Sequence, residues 1–220
     1  MPSAPSPDRS ESRFARLLAH AGVQEVVERR GTFGFMAFHG GNLEAVTDVV
    51  ASAAARAGNC SLYGVLQPSD LRWHIPSSAV SPVDSVPLAQ FLDHVEVAVA
   101  VHGYGRADHW ATLLAGGSNR RLAAHVADHL RAALPGYEII DELDAIPAAL
   151  RGVHPANPVN LPRGGGVQLE LPPRVRGIGP FWDDHPYRRT GQLCPDTEAL
   201  IRALTAAAQT WPTESTDEMA

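Results

Sequence analysis

Two apolar segments of the chain each end in a His-Gly dipeptide, and this repeated pattern limits the folds open to the sequence. Residues Phe33 to Phe38 lead into His39-Gly40-Gly41, and the run Val95 to Val101 leads into His102-Gly103. Short apolar runs rich in β-branched or aromatic residues and bounded by glycine are typical of buried strands. The sequence therefore predicts a histidine at the end of each of two buried strands.

Segments with helical spacing alternate with the predicted strands. Further strands are predicted over Cys60–Leu66, Tyr137–Ile140 and Val167–Leu171. Helices are predicted over Leu43–Ala57, Pro87–His94, Asn119–Leu134, Leu143–Leu150 and Asp196–Gln209. This alternation predicts an α/β fold, a three-layer αβα arrangement around a mostly parallel or mixed central sheet.

The length of 220 residues fits one domain, expected over residues 13–212, with flexible tails at 1–12 and 213–220. The first residues lack the apolar core of a signal peptide, and no apolar run is long enough to span a bilayer, so we expect a cytoplasmic protein with no membrane partner. The net charge of −6 argues against a nucleic-acid partner. Cys60 and Cys194 are expected to be free thiols. The oligomeric state stays open.

The basic residues exclude several enzyme classes. All 18 are arginine. Without lysine the chain has no Walker A lysine, no Schiff-base lysine for pyridoxal phosphate and no kinase lysine. Neither a GxSxG nucleophile motif nor a GxGxxG dinucleotide motif is present.

The two strand-end histidines and a nearby carboxylate form a predicted metal site. In open α/β sheets, binding sites lie beyond the carboxyl ends of the strands, where His39 and His102 are expected. Glu44 follows His39 by five positions and can face the same point. Two imidazoles and one carboxylate with an open fourth position are the usual ligands of one catalytic zinc ion. Each histidine taken alone also fits a polar residue at the end of a strand.

Glu170 is the predicted catalytic base. In the segment Gly166–Leu171 the alternation places Gln168 and Glu170 on the face opposite Val167, Leu169 and Leu171. A carboxylate on a covered face is costly unless it is paired or functional. Beside a metal it could accept a proton from water and pass it to a leaving amine. A structural ion pair with Arg174 or Arg176 is the alternative.

Arginine and asparagine side chains are predicted to bind a substrate carboxylate. Asn119 and Arg120 follow a glycine-rich turn that leads into a predicted helix, and helix N-termini favour anions. Arg174 and Arg176 follow Glu170 closely. Asn160 could orient substrate, although fixing a loop is the alternative for it, as a solvated surface charge is for each arginine.

Four segments together resemble the poly-γ-glutamate hydrolases, a group with a zinc-carboxypeptidase-like fold. They are His39-Gly40-Gly41 with Glu44 and Thr47, Val101-His102-Gly103, Gly116–Asn119, and Asn160 with Gly166–Leu171, Arg174 and Arg176. The resemblance implies that His39, Glu44 and His102 hold the metal and that Glu170 is the catalytic glutamate. It also implies hydrolysis of γ-glutamyl amide bonds.

The expected function is thus zinc-dependent amide hydrolysis of a small anionic peptide or γ-glutamyl substrate. Two alternatives remain: a zinc deacylase or carboxypeptidase acting on a small N-acyl or γ-linked amino acid, and a non-catalytic relative that binds an anionic peptide. The proline-rich stretch from Gln67 to Pro87 is either a lid or a surface loop.

Overall fold

A computed structural model describes residues 11–186 and 190–212. Within these residues the strands are β1 (Gln24–Glu28), β2 (Gly31–Gly41), β3 (Cys60–Gln67), β4 (Val97–Gly103), β5 (Thr112–Ala115), β6 (Glu138–Ile140) and β7 (Gly166–Leu171). The α-helices are α1 (Arg13–Leu18), α2 (Thr47–Ala57), α3 (Val86–His94), α4 (Arg120–Ala133) and α5 (Pro195–Thr210). Of the predicted tails, only Glu11 and Ser12 lie within the described residues, and the Ser12 hydroxyl accepts a hydrogen bond from Ala15 N at the start of α1.

The strands form one mixed sheet in the order β1-β3-β2-β4-β7-β5-β6. Strands β3, β2, β4 and β7 are parallel to their neighbours in this central block. Strand β1 runs antiparallel to β3, and β5 runs antiparallel to β7. The carboxyl ends of β2, β4 and β7 therefore meet at one edge of the sheet.

Each face of the sheet is covered by its own apolar layer, which confirms the predicted three-layer α/β architecture. On one face Phe35, Val99 and Leu169 pack against α2, α4 and α5. On the other face Met36, Phe38 and Tyr63 pack against α1 and α3 and against the segment that contains Ile75 and Val80. No helix of the described residues combines the length and the apolar character that crossing a membrane requires.

Two predicted helices differ from the observed structure. Helix α2 begins at Thr47 rather than at Leu43, because Val46 takes a left-handed conformation with φ of 78° and interrupts the helix. In the predicted helix Leu143–Leu150 only a 3₁₀ turn, Ala148–Leu150, forms. The extended conformation of Pro147, with ψ of 132°, stops a longer helix there.

Three short elements, α1, β1 and β5, were not predicted. They span six, five and four residues. Strand β1 is only partly buried at the edge of the sheet, and its Gln-Glu-Val-Val-Glu sequence lacks regular alternation. Elements this short carry too few apolar positions for a periodicity to be recognised.

Candidate metal centre and active site

Three neighbouring parallel strands carry the predicted catalytic side chains to one edge of the sheet. His39 lies near the end of β2, His102 near the end of β4 and Glu170 near the end of β7. His102 and Glu170 are directly opposite each other in the β4–β7 register. Side chains opposite each other in a sheet project from the same face, so these two lie side by side. A register shift in β2 between Ala37 and Gly40 changes the alternation just before the end of that strand.

The carboxylate of Glu44 contacts both histidines. Its Oε1 lies 2.9 Å from His39 Nδ1, and its Oε2 lies 3.4 Å from His102 Nδ1. Gly103 N also donates a hydrogen bond to Oε2, at 2.9 Å. The structure therefore brings together the three residues predicted as metal ligands.

A tight turn after β2 places Glu44. Glu44 N donates to His39 O, and Thr47 N donates to Glu44 O. The Thr47 hydroxyl donates to the same carbonyl at 2.7 Å. These bonds return the chain to the strand end before α2 begins. They explain how two residues five apart in sequence face each other.

The surroundings of the two histidines fit a metal centre. His39 Nε2 donates to Ile75 O at 2.8 Å, so Nδ1 is the ring nitrogen that faces Glu44. A hydrogen bond from the second ring nitrogen to a carbonyl is the usual support of a metal-binding histidine. His102 Nε2 is buried and has no hydrogen-bond partner among the described residues. A buried polar atom without a partner points to a bound water or ion, so these donors fit a divalent metal.

His74 is a further potential ligand that the sequence did not indicate. The donor atoms of His39, Glu44 and His74 all lie within 4.8 Å of one another. The His74 ring centroid is 4.9 Å from that of His39. His74 belongs to an irregular segment, so the pattern that located the other two histidines, a buried strand before His-Gly, is absent there.

The segment that carries His74 is hydrogen-bonded to residues at the carboxyl ends of β2 and β3. The Gln67 side chain donates to Trp73 O and accepts from Trp73 N. Asn42 Nδ2 donates to the carbonyls of Ser69 and Leu71. This part of the proline-rich stretch is therefore one wall of the site.

Charge and burial shift the pKa values of the two carboxyl groups in opposite directions. For Glu44, burial would raise the pKa, but the adjacent His102 and His39 lower it well below its usual range. For Glu170, burial raises the pKa, and the attraction of His102 opposes that rise only in part. Glu44 is thus suited to remain an anionic ligand, whereas Glu170 is suited to gain and lose a proton.

A cavity of about 690 Å³ opens onto these residues. Polar groups of His74, His154, Asn157 and Gln168 line it beside the cluster. Apolar residues also line it, namely Leu43, Pro76, Ala148, Ala149, Leu150 and Val153. None of the described residues that line it is an arginine.

Three of the five residues predicted to bind substrate hold loops in place. Asn119 caps α4 by accepting from Leu122 N and donates to Gly164 O. Asn160 accepts from Ser118 N and donates to the carbonyls of Gly152 and His154. Arg120 donates to the carbonyls of Gly117, Ala115 and Asp141. For Asn160 these contacts correspond to the loop-fixing alternative, and none of the three side chains lines the cavity.

The two arginines after β7 also lie outside the cavity lining. The Arg174 guanidinium stacks over Tyr137 and Phe181, at 4.9 and 4.5 Å from the ring centroids. Arg176 is buried and donates to Ala45 O and Tyr104 O. It thereby joins the turn that follows Glu44 to the end of β4. Direct contact of either arginine with a substrate stays a prediction.

Comparison with known proteins places the chain among characterised folds. The chain matches the solved structure of a bacteriophage poly-γ-glutamate hydrolase with a TM-score of 0.68 and 21% identity, over 84% of this chain and 87% of that one. A zinc-free structure of the protein YNDL matches with a TM-score of 0.60 and 21% identity, over 83% of this chain and 89% of that one. At this identity these likenesses show the fold. No curated protein sequence matches the chain.

A protein-family profile also matches the chain. The poly-γ-glutamate hydrolase profile matches residues 18–186. The matched region contains His39, Glu44, His102 and Glu170, together with the segment that carries His74. The chain belongs to the poly-γ-glutamate hydrolase family.

Proposed function

We propose that the protein is a zinc-dependent amidohydrolase that cleaves γ-glutamyl amide bonds. His39, Glu44 and His102 hold one zinc ion, and Glu170 is the catalytic base. The observation that carries the proposal is the contact of one carboxylate, Glu44, with Nδ1 of both histidines at the strand edge. Membership of the poly-γ-glutamate hydrolase family supports the substrate class.

The metal and the protein have separate tasks in this reaction. A zinc ion bound by these ligands would polarise the scissile carbonyl and lower the pKa of water. Glu170 accepts the proton of the attacking water and transfers it to the leaving amine nitrogen. Burial of Glu170 raises its pKa, which makes its carboxylate a stronger base towards the attacking water. Glu44, whose pKa is lowered by the two histidines, stays ionised throughout.

His102, rather than His74, is proposed as the third zinc ligand. His102 is 3% exposed and projects from β4, which pairs with β2 on one side and with β7 on the other. His74 is only partly buried and lies on an irregular segment. A catalytic zinc site keeps one position open, so four protein ligands would leave no place for water. His74 then faces the bound substrate from the cavity wall.

Elemental mass spectrometry of the purified protein tests the metal site. We expect about one zinc per chain, with loss in His39→Ala and His102→Ala and retention in His74→Ala. Zinc retained in His102→Ala but lost in His74→Ala would show that the ligand set is wrong.

Hydrolysis of a γ-glutamyl polymer tests the reaction. Glu170→Gln is nearly isosteric and should keep the zinc while turnover falls by about 10²-fold to 10⁴-fold. Turnover that survives this substitution would remove Glu170 from its proposed role. A zinc-loaded wild-type protein that cleaves neither γ-glutamyl polymers nor small N-acyl or γ-linked amino acids would favour the non-catalytic alternative.

A further inference from the structure

A hydrogen-bonded chain of two amide side chains leads from a cavity loop to Glu170. Asn157 Nδ2 donates to Gln168 Oε1 at 2.7 Å, and Gln168 Nε2 donates to Glu170 Oε1 at 2.7 Å. Asn157, Gln168 and Glu170 are only 2%, 5% and 4% exposed. Buried side chain to side chain hydrogen bonds of this length are uncommon outside built sites, because most side-chain bonds go to backbone or water.

Backbone groups set the direction of every bond in this chain. Asn157 Nδ2 also donates to Gly152 O at 3.2 Å, and Asn157 Oδ1 accepts from Val159 N at 3.4 Å. A carbonyl can only accept and an amide N–H can only donate, so the Asn157 amide has one orientation. Gln168 must then turn its oxygen towards Asn157 and its NH₂ group towards Glu170.

Gly152 packs directly against the Gln168 side chain. Gly152 has φ of +65°, and a Cβ built there would lie 2.4 Å from Gln168 Cβ and 2.7 Å from Gln168 Oε1. The absence of a side chain at Gly152 is therefore what admits the Gln168 amide. Asn160 fixes the same loop through bonds to Gly152 O and His154 O.

We propose that Asn157 and Gln168 are positioning residues that orient the Glu170 carboxylate for proton transfer. This inference rests on the proposed role of Glu170 as base. The Gln168 bond holds one carboxylate oxygen, Oε1. Among the described residues no hydrogen bond to Oε2 is found, so this second oxygen is the one left to accept a proton from water.

The substitution Asn157→Asp tests whether Asn157 orients the Gln168 amide or only stabilises its loop. Asp and Asn have nearly the same shape, but an aspartate side chain can only accept. In Asn157→Asp the Gln168 amide must turn over to donate to the new carboxylate, and its own oxygen then faces the Glu170 carboxylate. Gln168→Met removes the amide while keeping an unbranched side chain of similar length. Gln90→Met, at an exposed position on α3, is the control.

Steady-state kinetics on a γ-glutamyl polymer with zinc-loaded protein is the first measurement. We expect kcat to fall by about 10-fold to 100-fold in Gln168→Met and in Asn157→Asp, with KM within about two-fold and zinc content unchanged. In a Glu170→Gln background the same changes should alter the residual rate by less than about two-fold, since the oriented base is already absent. A kcat unchanged in both single variants, or an equal loss in the Glu170→Gln background, would overturn the proposal.

The second measurement needs no turnover and is independent of the proposed function. In ¹⁵N-labelled protein the Gln168 side-chain NH₂ protons should exchange with water far more slowly than those of Gln90. If Gln168 protons exchange as fast as those of Gln90, the hydrogen-bonded chain does not exist. Protected Gln168 protons together with an active Glu170→Gln variant would instead leave the chain of bonds intact and remove the proposed base.

Discussion

Replacing Gly103 with alanine tests whether the close packing of Arg176 against the end of β4 stabilises the proposed metal centre. A Cβ at Gly103 would lie 2.6 Å from Arg176 Nη1 and 2.7 Å from its Cζ. Arg176 cannot retreat easily, because its two terminal nitrogens donate to Ala45 O and Tyr104 O. The added methyl group must therefore displace either the guanidinium or the end of β4.

The magnitude follows from the contacts that are lost. A hydrogen bond from a charged group contributes about 1.5–3 kcal/mol, and overpacking of a filled site costs about 1–3 kcal/mol. Partial relaxation leaves an expected loss of about 2–4 kcal/mol in the free energy of unfolding. For a domain of this size, 1 kcal/mol corresponds to a Tm change of about 2–4 °C, so Tm should fall by roughly 4–16 °C. Because Gly103 N also donates to Glu44 Oε2, zinc affinity should fall as well, by about 10-fold or more.

Thermal unfolding of the zinc-loaded protein measures the effect, with zinc affinity determined by competition with a chelator. Gly105→Ala is the matched control two residues away, since a Cβ there meets nothing within 4 Å. We expect its stability to stay within about 0.5 kcal/mol of wild type, or to rise slightly. A Gly103→Ala protein with the Tm of Gly105→Ala and undiminished zinc affinity would refute the argument that Arg176 occupies this space.

Three further predictions concern the same centre. Arg176→Lys should lower the free energy of unfolding, measured by chemical denaturation, by about 1–3 kcal/mol, because one ammonium group does not reproduce the two guanidinium hydrogen bonds to the carbonyls of Ala45 and Tyr104. A variant as stable as wild type would contradict this. Gln67→Ala should destabilise the protein by about 1–3 kcal/mol and raise KM for the polymer, because the segment that carries His74 loses both of its hydrogen bonds to Trp73. An unchanged KM would show that this segment does not contact the substrate. Removal of zinc by a chelator should lower Tm, and free zinc at 100 times its Kd should restore about 2.7 kcal/mol, whereas a Tm that does not depend on zinc would argue against binding to the folded state.

The sequence alone predicted five of the seven strands and three of the strand-end residues. Buried runs of β-branched and aromatic residues located β2, β3 and β4 to within three residues at each end, because a strand covered on both faces is apolar at nearly every position. The carboxyl ends of parallel strands share one edge, so His39 and His102 could be expected to lie near each other from the sequence pattern alone. The alternation in β7 likewise placed Gln168 and Glu170 on one face.

Loop residues were less predictable, because their positions depend on contacts distant in sequence. The expected roles of Arg174 and Arg176 rested on their nearness to Glu170 in sequence. In the folded chain Arg174 stacks on two aromatic rings and Arg176 joins two loops. The glycine after His102 makes room for Arg176, a contact that the His-Gly pattern by itself does not reveal.

Tertiary structure alone decided what surrounds the catalytic edge. His74 reaches the cluster because Gln67 and Asn42 hold an irregular segment against the strand ends, and no periodic pattern records such bonds. The hydrogen bond from Asn157 to Gln168 joins a loop residue to a strand residue eleven positions later, and it depends on the space left by the missing side chain at Gly152. Periodic burial leaves a mark on the sequence because it repeats, whereas a single side-chain hydrogen bond between distant segments occurs once and leaves none.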